Sequence, residues 1–134
     1  MFFCFLCNLN VKNKSLAHRR LLYVFVLVYD NLSSLNQSEK ISLIDRYIDQ
    51  YGAAIVRFKN PSGGNSCPHS IVFIDYDSSI SDPGKRYTVL DPAATSISAA
   101  NGVKFYQCAT YSANPTAGTY KYNFSKTTTV AAFY

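Results

Sequence analysis

Tryptophan is absent from this 134-residue chain, methionine occurs once, and charged residues make up only 16%. The low charge density, combined with 48% hydrophobic residues, excludes a disordered chain, which needs few apolar groups and many charges. Six glycines and five prolines exclude collagen-like and low-complexity architectures. Four cysteines, Cys4, Cys7, Cys67 and Cys108, are too few and too irregularly spaced for a disulfide scaffold. A long apolar run is also missing. The longest, Leu21 to Tyr29, has nine residues, whereas a membrane-spanning helix needs about 20. That run follows His18-Arg19-Arg20, which has the look of an export signal, but no small-residue cleavage site comes after it, and its β-branched and aromatic content fits a buried strand equally well.

What the chain does have is aromatic mass, 11 tyrosines and nine phenylalanines, enough for one core and one domain. The net charge of +5 is scattered apart from Lys12, Lys14, Arg19 and Arg20. A nucleic-acid surface concentrates its cations along one face, so no nucleic-acid partner is expected.

Residues 1–35 form an atypical N-terminal segment without clear periodicity outside the Leu21–Tyr29 run. Residues 36–134 form the main domain. Within it, residues 36–52 spell a helix. Asn36 and Glu39 have the spacing of a capping box. Ile41, Ile44, Ile48 and Tyr51 line one face, and Gly52 supplies the left-handed residue that stops it. Strands are expected at Ala53–Lys59, His69–Tyr76 and Arg86–Leu90, then at Val103–Thr110, Thr119–Ser125 and Thr128–Tyr134. The unbroken apolar stretch Ile71–Ile74 suggests a central strand buried on both faces. The order defines an α+β fold, a helix followed by an antiparallel sheet.

The chemistry-bearing pattern is a hairpin. If the strands ending at Tyr76 and beginning at Arg86 pair about Ile80, His69 and Asp91 are each eleven residues from the centre and oppose one another. Opposed residues share a face with Cβ atoms about 4.5–5.5 Å apart. A carboxylate on one ring nitrogen sets the tautomer and leaves the other nitrogen to accept a proton. That is two thirds of a nucleophile–base–orienter triad. The same residue types in the same places also serve ordinary turn chemistry.

Residues 36–92 resemble the papain-fold cysteine peptidases related to the leader-peptide-processing domains of bacteriocin exporters. The likeness runs through the helix Ile41–Gly52, the strand Ala54-Ile55-Val56-Arg57-Phe58, the stretch His69-Ser70-Ile71-Val72-Phe73-Ile74-Asp75-Tyr76, and Tyr87-Thr88-Val89-Leu90-Asp91-Pro92-Ala93. The resemblance implies a papain-like fold, His69 as general base and Asp91 as its orienter. It also implies a peptide or protein substrate, no cofactor or metal, and a cell-surface or extracellular setting. The family's nucleophile opens a helix rich in small residues and follows a Gln, because a helix N-terminus favours the thiolate. Cys7 is the nucleophile candidate by position, yet neither Cys4 nor Cys7 has a preceding Gln, and Asn8-Leu9-Asn10-Val11-Lys12-Asn13 follows. The expectation is therefore the sheet-bearing, C-terminal half of such a domain, inactive or truncated. A second reading is a non-catalytic peptide- or partner-binding module using Tyr106, Tyr111, Tyr120, Tyr122, Phe124, Phe133 and Tyr134, although Tyr120, Tyr122 and Phe124 would share one strand face and form core. A third, zinc held by Cys67, His69, Asp91 and Cys108, has acceptable ligand types but no diagnostic spacing.

Overall fold

Asn36 turns an extended chain into a helix. In the computed structural model, which describes residues 26–60, 68–94 and 102–134, the Asn36 side chain accepts the Glu39 amide at 3.0 Å. The Glu39 carboxylate accepts the Asn36 amide at 2.8 Å. This reciprocal capping box satisfies two helix-end donors and starts α1, Gln37–Tyr51. Gly52 ends it with φ 79°, a left-handed conformation that costs a glycine least.

The face that α1 buries is rotated from the one the isoleucine spacing suggests. Ile44 and Ile48 are buried as expected, but Lys40 and Tyr47 are buried with them, while Ile41 and Tyr51 are only half-buried. Both polar side chains find partners there. Lys40 Nζ donates to the carbonyls of Thr127 at 3.1 Å and Ser125 at 3.4 Å, and burial lowers its pKa. Tyr47 donates to Asp30 at 2.9 Å.

Among the described residues six strands make one sheet: β1 Leu27–Asn31, β2 Ala54–Phe58, β3 His69–Tyr76, β4 Tyr87–Leu90, β5 Val103–Lys104 and β6 Thr127–Phe133. Their spatial order is β1-β6-β2-β3-β4-β5, and every neighbouring pair is antiparallel. The fold is thus α+β, with α1 laid on one face of an antiparallel sheet. β1 comes from the stretch that the sequence sets apart as residues 1–35, and it pairs with β6 in the same sheet.

The core lies between α1 and the inward side chains of alternate strand positions: Ala54, Val56 and Phe58, Ile71 and Phe73, Tyr87 and Val89, Val130 and Ala132. β3 occupies an interior place in the sheet, but it is not buried on both faces. Ile71 and Phe73 are fully buried, whereas Val72 and Ile74 are half-buried, the alternation of a sheet packed on one side.

The last third departs most from the sequence-based expectation. Of Val103–Thr110 only Val103–Lys104 joins the ladder, because Phe105–Gln107 winds into a 3-10 turn that buries Phe105 completely. Thr119–Ser125 forms no strand. Tyr122 makes a lone bridge to Tyr111. Asn123 then accepts the Ser125 amide at 3.1 Å and caps the 3-10 turn Phe124–Lys126. The aromatic residues that read as strand are here anchors for turns, with Phe58, Phe73 and Phe105 packed 5.4–6.4 Å apart between ring centroids.

One buried ion pair ties the helix to the β3–β4 connection. Arg86 closes the one-turn helix α2, Pro83–Arg86. Its Nη2 lies 2.5 Å from Asp45 Oδ2, and its Nη1 donates to the carbonyls of Ile80, Asp77 and Ser78 at 2.8–3.1 Å. Tyr87 also donates to Asp45, at 2.8 Å. Burial, then this bond, pushes the Tyr87 phenol well above its ordinary value.

Two stability changes are expected. Asn36→Ala removes one cap and should cost about 1 kcal/mol. Arg86→Met leaves the half-buried Asp45 carboxylate and three turn carbonyls without the guanidinium and should cost about 3 kcal/mol. Urea unfolding of both variants checks the order: Arg86→Met must shift the midpoint several times further than Asn36→Ala.

Candidate functional site

His69 opens β3 and Asp91 follows the last residue of β4. Their separation in the chain is bridged by the β3–β4 ladder, which pairs Val72 with Leu90 and Phe73 with Val89, then slips before Asp75–Thr88 and Tyr76–Tyr87. Against the simple hairpin the pairing is offset by three residues at its tip, and the bulge at Ile74 takes back one, leaving an offset of two at the end that carries His69 and Asp91. His69 and Asp91 are therefore diagonal neighbours and not directly opposed. An even shift keeps both on one face, since side chains alternate with period two, and diagonal neighbours remain within reach of a long side chain.

The two side chains meet. His69 Nε2 lies 2.7 Å from Asp91 Oδ1, with side-chain exposures of 18% and 3%. A buried carboxylate is costly unless its lone pairs are filled, and here they are. Oδ1 also accepts the Ala93 amide at 2.9 Å, in a turn made by Asp91-Pro92-Ala93 that places the Ala94 amide on the Asp91 carbonyl at 2.9 Å. Oδ2 accepts the Thr110 hydroxyl at 2.5 Å. An oxygen already receiving an amide proton acts as acceptor, so the imidazole donates Nε2–H to it. In the neutral ring Nδ1 then carries the lone pair. The Tyr122 ring stacks on the imidazole, with centroids 5.5 Å apart and planes 20° from parallel.

The arrangement is an oriented acid–base pair. Nδ1 can take a proton from a neighbouring group, and Asp91 stabilises the imidazolium that results. Thr110 and Tyr122 were not foreseen from the sequence as parts of the site. Each lies far along the chain from His69 and Asp91, and a Thr or Tyr in an apparent strand carries no signal of what it will touch.

Of the sulfurs, Cys108 is buried and its thiol is pushed up to about 12, first by burial and then by the charge of Asp91. It holds its proton and is a packed thiol. Cys4, Cys7 and Cys67 lie outside the described residues, so the nucleophile candidate Cys7 and part of the suggested zinc quartet fall there too. Among the described residues no group of three or more His, Cys, Asp or Glu side chains is arranged to hold a metal. No described helix is long and apolar enough to cross a membrane. The aromatic tail divides. Tyr122 and Phe124 are buried, whereas Tyr120 is 67% exposed and Tyr106 46%.

No protein-family model, curated protein or solved structure matches this chain.

The high Cys108 pKa has a measurable sign. Native Cys108 keeps its proton to about 12, while an unfolded cysteine ionises at the ordinary 9.0. The thiol's contribution to stability is therefore complete below 9.0 and falls as the pH rises from there to 12, by at most about 1.4 kcal/mol per pH unit. Urea unfolding between about pH 8 and pH 11 should show the parent protein losing more stability than Cys108→Ala. Equal losses would mean that the native thiol ionises normally.

Proposed function

We propose that this chain is a cysteine-peptidase-like domain of the papain type, in which His69 acts as general base and Asp91 as its orienter on a peptide or protein substrate. The observation that carries the reading is the imidazole held through Nε2 by a buried, fully hydrogen-bonded carboxylate. Its support from the sequence is the run from the helix ending at Gly52 through His69 to Asp91-Pro92. In the reaction, a cysteine thiol gives its proton to His69 Nδ1, and the thiolate attacks the peptide carbonyl. The C–N bond breaks as the imidazolium protonates the leaving amine. Water then cleaves the thioester, returning the thiol and releasing the carboxylic acid. Cys7 is the candidate sulfur. Cys108 is unsuited, because burial disfavours its thiolate.

The second reading is a catalytically silent relative that binds a peptide or a partner. It is favoured by the protonated state of Cys108 and by the exposed rings of Tyr106 and Tyr120, since tyrosine is enriched at binding surfaces.

Labelling of the full chain with iodoacetamide at about pH 6, read cysteine by cysteine by mass spectrometry, separates the two. An activated thiolate reacts there at least about tenfold faster than an ordinary thiol. The peptidase reading expects this at Cys7, with the excess abolished in His69→Ala. Rates equal to free cysteine at every site, unchanged by His69→Ala, would overturn it in favour of the binding module.

A further inference from the structure

The segment that follows β5 touches both members of the His69–Asp91 pair, from two different directions. Thr110 delivers its hydroxyl to Asp91 Oδ2 at 2.5 Å, the oxygen that His69 does not use. Tyr122 lays its ring on the imidazole at 5.5 Å between centroids. The two are not independent. The Tyr122 amide donates to the Thr110 carbonyl at 2.7 Å, and the Ser112 amide donates to the Tyr122 carbonyl at 3.0 Å. These bonds accompany the Tyr111–Tyr122 bridge. Tyr122 is in turn packed on Phe58 at 5.7 Å, a fully buried core ring. The Thr110 end of this contact is shaped by local turns, in which the Cys108 amide donates to the Phe105 carbonyl at 3.1 Å and the Tyr111 amide to the Cys108 carbonyl at 3.0 Å.

A carboxylate with one oxygen on an imidazole can rotate about its terminal torsion, which is broad for aspartate. A turn about that torsion moves both oxygens of the planar group: the Ala93 amide and His69 hold it at Oδ1, and Thr110 Oγ1 is the described contact that holds it at the second point, Oδ2. The imidazole has the analogous freedom about its own terminal torsion, and the Tyr122 ring restrains it by closing one face. Sheet pairing alone holds the two Cα atoms near one another; the strap decides how the two planes meet.

We infer that Thr110 and Tyr122 are positioning residues for the His69–Asp91 pair, forming a strap that holds the carboxylate and ring planes in which Asp91 fixes the imidazole tautomer. The inference deepens the peptidase-like reading, on which its catalytic use rests, but the geometry can be tested without any substrate. In the wild-type protein, ring nitrogen NMR at a pH where His69 is neutral should show one dominant tautomer, protonated at Nε2, with a slowly exchanging Nε2 proton. Thr110→Val, which keeps the shape and removes the hydroxyl, should lose that slow proton and move the ring toward a mixture of tautomers. Thr110→Ser, which restores a hydroxyl, should recover the wild-type signature. Tyr122→Leu should keep the tautomer and speed exchange of the Nε2 proton. Amide spectra of each variant establish that the sheet is intact. An unaltered tautomer and exchange rate in a folded Thr110→Val protein would overturn the inference. So would a Thr110→Ser protein that behaves like Thr110→Val. Neither result depends on whether Cys7 reacts, so failure of the strap and failure of the peptidase reading are told apart.

Discussion

A carboxylate taken out of water is the constraint around which this part of the molecule is arranged. Asp91 has a side chain only 3% exposed, and an unpaired ion so placed would be strongly unfavourable. Two segments remote in sequence and one neighbouring amide supply the compensation: the imidazole that begins β3, the hydroxyl of Thr110, and the amide two residues beyond Asp91 itself. The two remote segments are held by apolar packing, β3 through Ile71 and Phe73 and the Thr110 segment through Phe105, so the carboxylate is met by groups already in place. That preorganisation separates an oriented imidazole from a surface ion pair, which would be worth little and adopt many geometries.

A second buried charge performs the corresponding task at the other end of the β3–β4 hairpin. Arg86 and Asp45 join α1 to the connection between the strands, and the guanidinium donates to the carbonyls of Asp77, Ser78 and Ile80 in the turn. The planar fork of arginine suits this several-way contact better than an ammonium group would. The hairpin is thus pinned at its tip by Arg86 and at its mouth by the His69–Asp91 bond. Among the described residues, no buried side-chain polar atom is left without a partner. The bulge at Ile74 is accommodated between these two fixed points.

Local signals in the sequence were accurate where they depended on neighbours. Asn36, Glu39 and Gly52 define α1 because capping is a contact between residues three or four apart. The bounds of β3 follow from its β-branched and aromatic run. The imidazole–carboxylate contact was legible in outline for a related reason: a hairpin is the most local of long-range pairings, and a register error of two residues preserves the face. The same local signals misled after residue 104. Tyr, Phe, Thr and Val there carry strand propensity, yet Phe105 and Phe124 are buried through 3-10 turns, and Tyr120 faces solvent where strict alternation would have placed it beside Tyr122 in the core.

The amino-acid order alone determined an α+β chain, the ends of its helix, the identity of its central hairpin and the two side chains that could meet across it. Those features arise from contacts over a few residues or from periodicity, and both are written linearly. The tertiary structure decided the strand order β1-β6-β2-β3-β4-β5, the burial of Lys40 and Cys108, and the convergence of Thr110 and Tyr122 on His69 and Asp91. Such meetings are set by how the last third of the chain packs against the sheet. A packing preference belongs to the assembled surface and not to any short stretch of residues.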